Sequence, residues 1–466
     1  MRELALLLTY TSFFALGVLS PFVLVLGYVW VDNFVPQEVS YGLLRGLPVS
    51  QVIAMGAIGA YLLLDRRSPP RPNLIMVLTV LMAAWITATN FWAVAPADAW
   101  TKWDWAFKNV LLSAFIPFFL RSRVQIEAFI QVYIGAALIH IMPVGIKTMI
   151  SGGGYGNSLG ILTDSNSGLA ESSTLAAVSI MFIPFLLWLR KHSILMPAKL
   201  RTPLYTGLIV VCCAAAVGTY ARTALIGFFV VGAGMWMRSR HKIGFTVLLG
   251  IAALAISVAV SDAWVSRIST IKDPTKESSA NTRFLVWRWT LDFVRDNPLG
   301  GGFSSYVINR IEDVAEDGTV LSVQFGRAFH SIYFEVLGEH GWPGLFLFLA
   351  IAATALLGLR SIMRRTRKGK VPGLEWCRDL AGALQTATLT LLVCGAFVGI
   401  AFQPMYWYLF ALAAMLSQYL RRVLPAKPAA RPRAEAAAPP RAEAPLAPAF
   451  GGAREAAGRI GRVQPG

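Results

Sequence analysis

The sequence predicts an all-α integral membrane protein of about 12 transmembrane helices with one large periplasmic loop. Three observations carry that prediction. Of the 466 residues, 56% are hydrophobic and only 14% charged, whereas a soluble globular chain carries roughly a quarter charged residues. Apolar runs near the length needed to cross a bilayer core, about 20 residues, recur along the chain. Basic clusters fall at every second junction between runs, as cytoplasmic loops require.

The apolar runs lie at 3–18, 20–32, 47–64, 73–93, 105–120, 124–144, 169–189, 204–221, 223–237, 243–262, 331–359, 380–400 and 403–420. Arg66, Arg67 and Arg71 open the basic series. It continues with Arg121 and Arg123, Arg190 to Arg201, Arg238 to Lys242, Arg360 to Lys370, and Arg421 with Arg422. The intervening junctions at 94–104, 145–168, 219–222, 263–330 and 401–404 are longer or less basic and are expected outside. This alternation puts the C-terminus in the cytoplasm. The first two runs are short and separated by Pro21. They make two crossings if the N-terminus is outside, or one crossing and a shallow segment if it is inside. The opening lacks a basic head followed by a small-residue cleavage site, so its first run is expected to stay as a helix.

The net charge of +17 sits largely beside spans. Arg360–Asp379 carries seven basic and two acidic residues, and Arg421–Gly466 nine basic and three acidic. That placement fits topology and excludes nucleic acid as the reason for the charge, and no nucleic-acid motif accompanies it. Residues 1–421 form the polytopic domain. The Ala/Pro/Arg-rich tail at 422–466 lacks apolar periodicity, so it is expected to be disordered and cytoplasmic. Its charge suits contact with anionic membrane lipids. Cys212, Cys213, Cys377 and Cys394 have no metal-ligand spacing and read as small core residues.

Polar features that bear chemistry gather on the outer side. The glycine-rich junction 145–168 ends in Asp164 and Asn166, which either cap the next helix or meet a substrate. Arg222 stands between two apolar runs with almost no loop, hence at the membrane boundary. It either snorkels to the interface or serves a function, and the topogenic charge on the opposite side favours function. In the 263–330 loop, Arg283 and Arg288 flank Trp287, with helical spacing from Leu285 to Val294 stopped by Pro298 and Gly300–Gly302. A guanidinium offers a planar, permanently charged fork for phosphate. Arg222, Arg283 and Arg288 could converge on a pyrophosphate, or the loop arginines could pair with Asp292 and Asp296. His330 enters the next apolar run, where an imidazole could accept a proton from an attacking hydroxyl or simply pack.

No Cys/His metal spacing, paired-Asp transfer signature, phosphate-binding glycine loop or G-x-S-x-G elbow is present. No metal and no cofactor are therefore expected, and nucleotide hydrolysis is disfavoured. A transporter would place ionisable groups near the membrane midplane; here they concentrate at one face.

Taken together, these residues resemble the O-antigen ligase/polymerase superfamily of membrane glycosyltransferases. The matching elements are Ala221-Arg222-Thr223, then Arg283 with Trp287 leading to Pro298-Leu299-Gly300-Gly301-Gly302. They end in His330-Ser331 running through Phe334, Leu337, Glu339, Gly341 and Gly344. Asp164-Ser165-Asn166 looks like the family's D-x-N. The opening MRELALLL and the HSIYFEVLGEHGWPGL wording are most similar to O-glycosylation ligases linked to exosortase-type systems. Ala221 stands where serine is common, and Phe334 where leucine is usual.

The resemblance implies a GT-C-like fold in the inner membrane. It implies transfer of a preassembled glycan from undecaprenyl pyrophosphate to a lipid A-core sugar or a protein at the periplasmic face, with inversion and without metal. On that basis Arg222 and Arg283, with Arg288, would hold the pyrophosphate, and His330 would orient or deprotonate the acceptor. Lys108 would be a further candidate for the pyrophosphate charge, and Glu339 would support the surroundings of His330. A lipid-linked polysaccharide polymerase of the same superfamily uses the same donor and leaving group, and the motifs separate the two poorly.

Overall fold

A computed structural model describes residues 2–40, 42–151, 169, 171–239, 241–244, 246, 250, 278–314, 320–367 and 371–424. The expectations for Asp164, Asn166 and the tail beyond 424 lie outside the described residues. Helices follow the apolar runs closely. They are α1 (Arg2–Leu19), α2 (Pro21–Phe34), the short α3 (Pro36–Val39), α4 (Val49–Leu64), α5 (Leu74–Asn90), α6 (Pro96–Phe119), α7 (Arg123–Ser151), α8 (Ser172–His192), α9 (Ala198–Gly218) and α10 (Arg222–Arg238). Then come α11 (Ser278–Asp296), α12 (Ile332–Arg365), α13 (Glu375–Cys394) and α14 (Pro404–Val423). Among the described residues the strands form a single hairpin, β1 (Arg310–Val314) antiparallel to β2 (Val320–Phe325).

Among the described residues, six helices are long and apolar enough to cross a membrane: α1, α7, α8, α9, α12 and α13, the last with its continuation to Phe397. Helices α2, α4 and α5 are apolar but shorter, and most of the 243–262 run lies outside the described residues. Helix α6 begins nine residues before its apolar run because Pro96 starts it at a position where the missing N–H costs nothing. Its first half therefore carries Asp98, Lys102 and Asp104, and Lys108 follows.

The helices alternate in direction, and side chains tie their like ends together. At one end, Arg123 Nη2 donates to His192 O at 2.7 Å. There Lys191 meets Asp379 at 2.7 Å, and Arg422 Nη2 reaches Leu120 O at 3.3 Å. That end carries the basic clusters. The opposite end holds Asn90, Lys102, Glu171, Arg222, His330 and the C-terminus of α13. The packing thus reproduces the alternation read from charge alone.

A kink in α12 organises this second end. Gly341 has φ 65° and ψ −168°, which interrupts the helix, and Pro343 follows. Trp342 N turns away to donate to Pro298 O at 3.1 Å, and Pro343 has no N–H to give. The carbonyls of Gly338 and Glu339 thereby lose their helical partners. Backbone N–H groups of Gly301 and Gly302 replace them at 3.0 and 2.8 Å. The other edge of the glycine strap is held by Trp92 Nε1 to Gly300 O at 3.1 Å and Val94 N to Gly301 O at 2.8 Å. The P-L-G-G-G segment and the G-E-H-G-W-P segment are therefore two halves of one backbone joint.

A Cβ on residue 341 would lie 2.2 Å from Pro298 O, and the backbone angles belong to a region that only glycine occupies comfortably. Gly341→Ala is expected to destabilise the fold by at least about 1–3 kcal/mol from backbone strain. The check is the thermal midpoint of the detergent-purified protein; an unchanged midpoint would show that the joint tolerates a side chain.

Candidate functional site

The site end is built around the C-terminus of α13. Cys394 Sγ lies 3.7 Å from Thr223 O, which brings the first turn of α10, and with it Arg222, to this point. The start of α12 arrives from another side, since a Cβ on Gly395 would lie 2.7 Å from Ile332 Cδ1. Helix α11 completes the ring. Its Trp287 stacks on Phe334 with centroids 5.0 Å apart and donates to Phe329 O at 2.9 Å. Val286, Ile311 and Phe329 form a small buried core that ties α11, the hairpin and α12 together.

His330 precedes this helix start with φ 48°, a left-handed conformation adopted just before the extended Ser331 N-cap. Its pKa is held below the ordinary histidine value, first by burial, then by the positive charges of Arg283 and Arg327, with Glu335 opposing. The imidazole is therefore neutral at neutral pH and free to accept a proton. Arg283 occupies the same neighbourhood. Its Nε is buried and has no hydrogen-bond partner among the described residues. Glu171, ahead of α8, is close enough to feel Arg283. Burial raises the Glu171 carboxyl, and the guanidinium pulls it back.

Two of the sequence candidates sit elsewhere. Arg288 is exposed and five residues along α11 from Arg283, roughly 140° around the helix. The structure does not bring it onto the Arg283 face. Lys108 pairs with Asp104 at 2.6 Å and lines a cavity of about 250 Å³ with Gln51, Trp103 and Phe115, away from His330. Arg295, not Arg283 or Arg288, takes Asp292, at 3.4 Å.

Sequence reasoning missed Lys102 and Glu335. Lys102 Nζ donates to Glu335 Oε1 at 2.7 Å and to Glu339 Oε1 and Oε2 at 2.8 and 3.0 Å. Burial opposes charge on this lysine, but the two carboxylates outweigh it and hold its pKa above the ordinary range. Glu335 Oε2 accepts from Ala401 N, and Glu339 Oε1 from Ser304 N, both at 2.9 Å. It is thus Glu335, one turn before Glu339, that acts on His330. Carboxylates four residues apart share a helix face, and two buried there demand a cation. That demand was the available signal.

This triad borders a cavity of about 320 Å³, whose walls include Asp98, Tyr306, Phe329, Gly399 and Phe402. One end thus offers an unpaired guanidinium donor suited to an anion, a neutral imidazole suited to a proton, and an adjoining carboxylate-lined compartment.

The candidate residues come from two segments with separate likenesses. Residues 1–194, which supply Lys102 and Glu171, match a family of unknown function, DUF5935. No curated protein matches the chain. Residues 206–349 match the O-antigen ligase family, and that span contains Arg222, Arg283, the glycine strap, His330 and the kink. The domain at residues 206–349 thus supports placing the chain with the O-antigen ligase superfamily.

Proposed function

We propose that the protein transfers a preassembled glycan from undecaprenyl pyrophosphate to a hydroxyl or amino group of an acceptor at the periplasmic face of the inner membrane. The observation that carries the reading is the buried Arg283 Nε, without a hydrogen-bond partner among the described residues, beside a neutral His330. A buried charged donor without an acceptor is costly, and a pyrophosphate oxygen would satisfy it. The basic clusters at the opposite end of the bundle support the orientation, since excess Lys and Arg mark the cytoplasmic side.

In the reaction, the acceptor oxygen attacks the anomeric carbon while the bond to the pyrophosphate oxygen breaks. The proton passes to His330, and the pyrophosphate leaves with the electron pair. Arg283 and Arg222 stabilise the charge that builds on the leaving group. A single displacement of this kind inverts the anomeric centre. The acceptor is a lipid A-core sugar or a protein. A polymerase that joins lipid-linked units uses the same chemistry. Deletion separates the two: a ligase loss leaves unattached lipid-linked polymer, whereas a polymerase loss leaves short chains.

The test compares Arg283→Ala with Arg288→Ala in proteoliposomes supplied with lipid-linked donor. Removing one such donor costs on the order of 10²–10³ in rate, expected for Arg283→Ala. Arg288→Ala is expected to stay within a few-fold, because its side chain faces outward. Full transfer by Arg283→Ala would sink the reading.

A further inference from the structure

The cavity near His330 is lined by carboxylates, whereas the cations that act on the imidazole are Arg283 and Arg327. Gly399 lines the cavity and packs against the backbone of His330. A Cβ there would sit 3.5 Å from His330 N and 3.6 Å from Glu335 Oε2, so the cavity begins about one residue's width from the His330 backbone. On the cavity side the lining carboxylates are Asp98 and Glu335, and the lining cation is Lys102. All three hydrogen-bond directions of Lys102 are already taken by Glu335 and Glu339, leaving none for a phosphate. Glu339 adds another negative charge behind it. Trp105, Phe402, Phe329 and Tyr306 supply aromatic walls, and Thr101 and Ser304 supply hydroxyls.

We propose that this cavity is the acceptor subsite and that it takes a saccharide end that is uncharged or carries an amino group. The proposal rests on the glycan-transfer reading above. Sugar hydroxyls donate well to carboxylates, and the apolar faces of pyranose rings lie well on aromatic side chains. The volume is at the lower end of the range for small-molecule sites, roughly 300 Å³, so it suits a short saccharide end and not a polymer. Arg283 and Arg327, the cations that act on His330, draw the anionic donor, and the acidic lining of the cavity repels it. The two substrates are thus sorted by charge beside the proton acceptor.

The experiment uses the full chain in nanodiscs and two variants of the cavity. Asp98 is exposed at the mouth, so Asp98→Lys leaves the core undisturbed; Ala328→Trp fills the space from the wall. Affinity for undecaprenyl pyrophosphate alone is measured beside transfer of labelled glycan into the acceptor fraction of native membranes. Both variants are expected to bind undecaprenyl pyrophosphate within about twofold of wild type, a difference under 0.5 kcal/mol. Transfer is expected to fall on the order of tenfold for Asp98→Lys, the scale of one lost charge-assisted contact, and further for Ala328→Trp.

Undiminished transfer by both variants would overturn the proposal. Faster transfer by Asp98→Lys would show an anionic acceptor and overturn it too. Parallel loss of undecaprenyl pyrophosphate binding would assign the cavity to the donor. A wild-type protein that neither binds undecaprenyl pyrophosphate nor transfers glycan would instead sink the transfer reading itself.

Discussion

His330→Ala is expected to lower glycan transfer by about 10²–10⁴-fold, the range that a positioned general base supplies. Affinity for the lipid-linked donor should change little, because the pyrophosphate contacts come from arginines. The pH profile separates a base from a packing residue. With its pKa depressed by burial, Arg283 and Arg327, His330 stays neutral below the ordinary histidine value. The acid limb of kcat/KM should therefore fall below the ordinary histidine value, and activity should be flat through neutrality. Arg327 is exposed on the chain leading into His330. Taking its positive charge away makes the imidazolium less costly, so the pKa rises towards 6.5. Arg327→Ala should accordingly move the acid limb upward and lose activity near pH 6 while keeping most of it at pH 8. A profile that does not move, or a His330→Gln variant that keeps full activity, would remove His330 from proton transfer.

The outline of this architecture was legible because membrane folds obey one-dimensional rules. Run lengths gave the helices, and the spacing of Arg66, Arg121, Arg190, Arg238 and Arg364 gave their alternation, now seen as bonded ends such as Arg123 to His192. Arg283 and His330 were both readable as residues at an apolar–polar boundary, and Trp287 ties their segments together through Phe329 O. Arg288 was a matter of helical phase: five residues from Arg283 cannot share its face.

Lys102 was harder. Its partners are 233 and 237 residues away, and only the packing of α6 on α12 brings them together. The glycine strap could be recognised as motif but not as mechanism. Which carbonyls needed donors depends on the kink at Gly341, and a kink appears only in three dimensions. Of the about 12 spans expected, length and hydropathy qualify six among the described residues.

Lys102→Met is expected to be the most damaging single change to the fold. Glu339 is fully buried and Glu335 nearly so, and both lose Lys102, the one lysine or arginine within 4 Å of either carboxylate among the described residues; the His340 imidazole lies 3.9 Å from Glu339. Removing one member of a buried ionic group costs about 3–5 kcal/mol, because the remaining charge is left unpaired in a poor solvent. The energy falls on the site directly. Glu335 anchors Ala401 N, and Glu339 anchors Ser304 N at the end of the glycine strap, so the walls of both compartments depend on the triad. Neutralising the carboxylates should reverse much of the loss. A Lys102→Met, Glu335→Gln, Glu339→Gln triple variant keeps the shapes and hydrogen-bond acceptors while removing both stranded charges, and should melt well above the single variant. The check is thermal unfolding of the three forms in one detergent. A triple variant no more stable than Lys102→Met would mean that the lysine acts through packing between Phe303 and Phe402, over whose rings it lies at 5.5 and 5.7 Å, and not through charge.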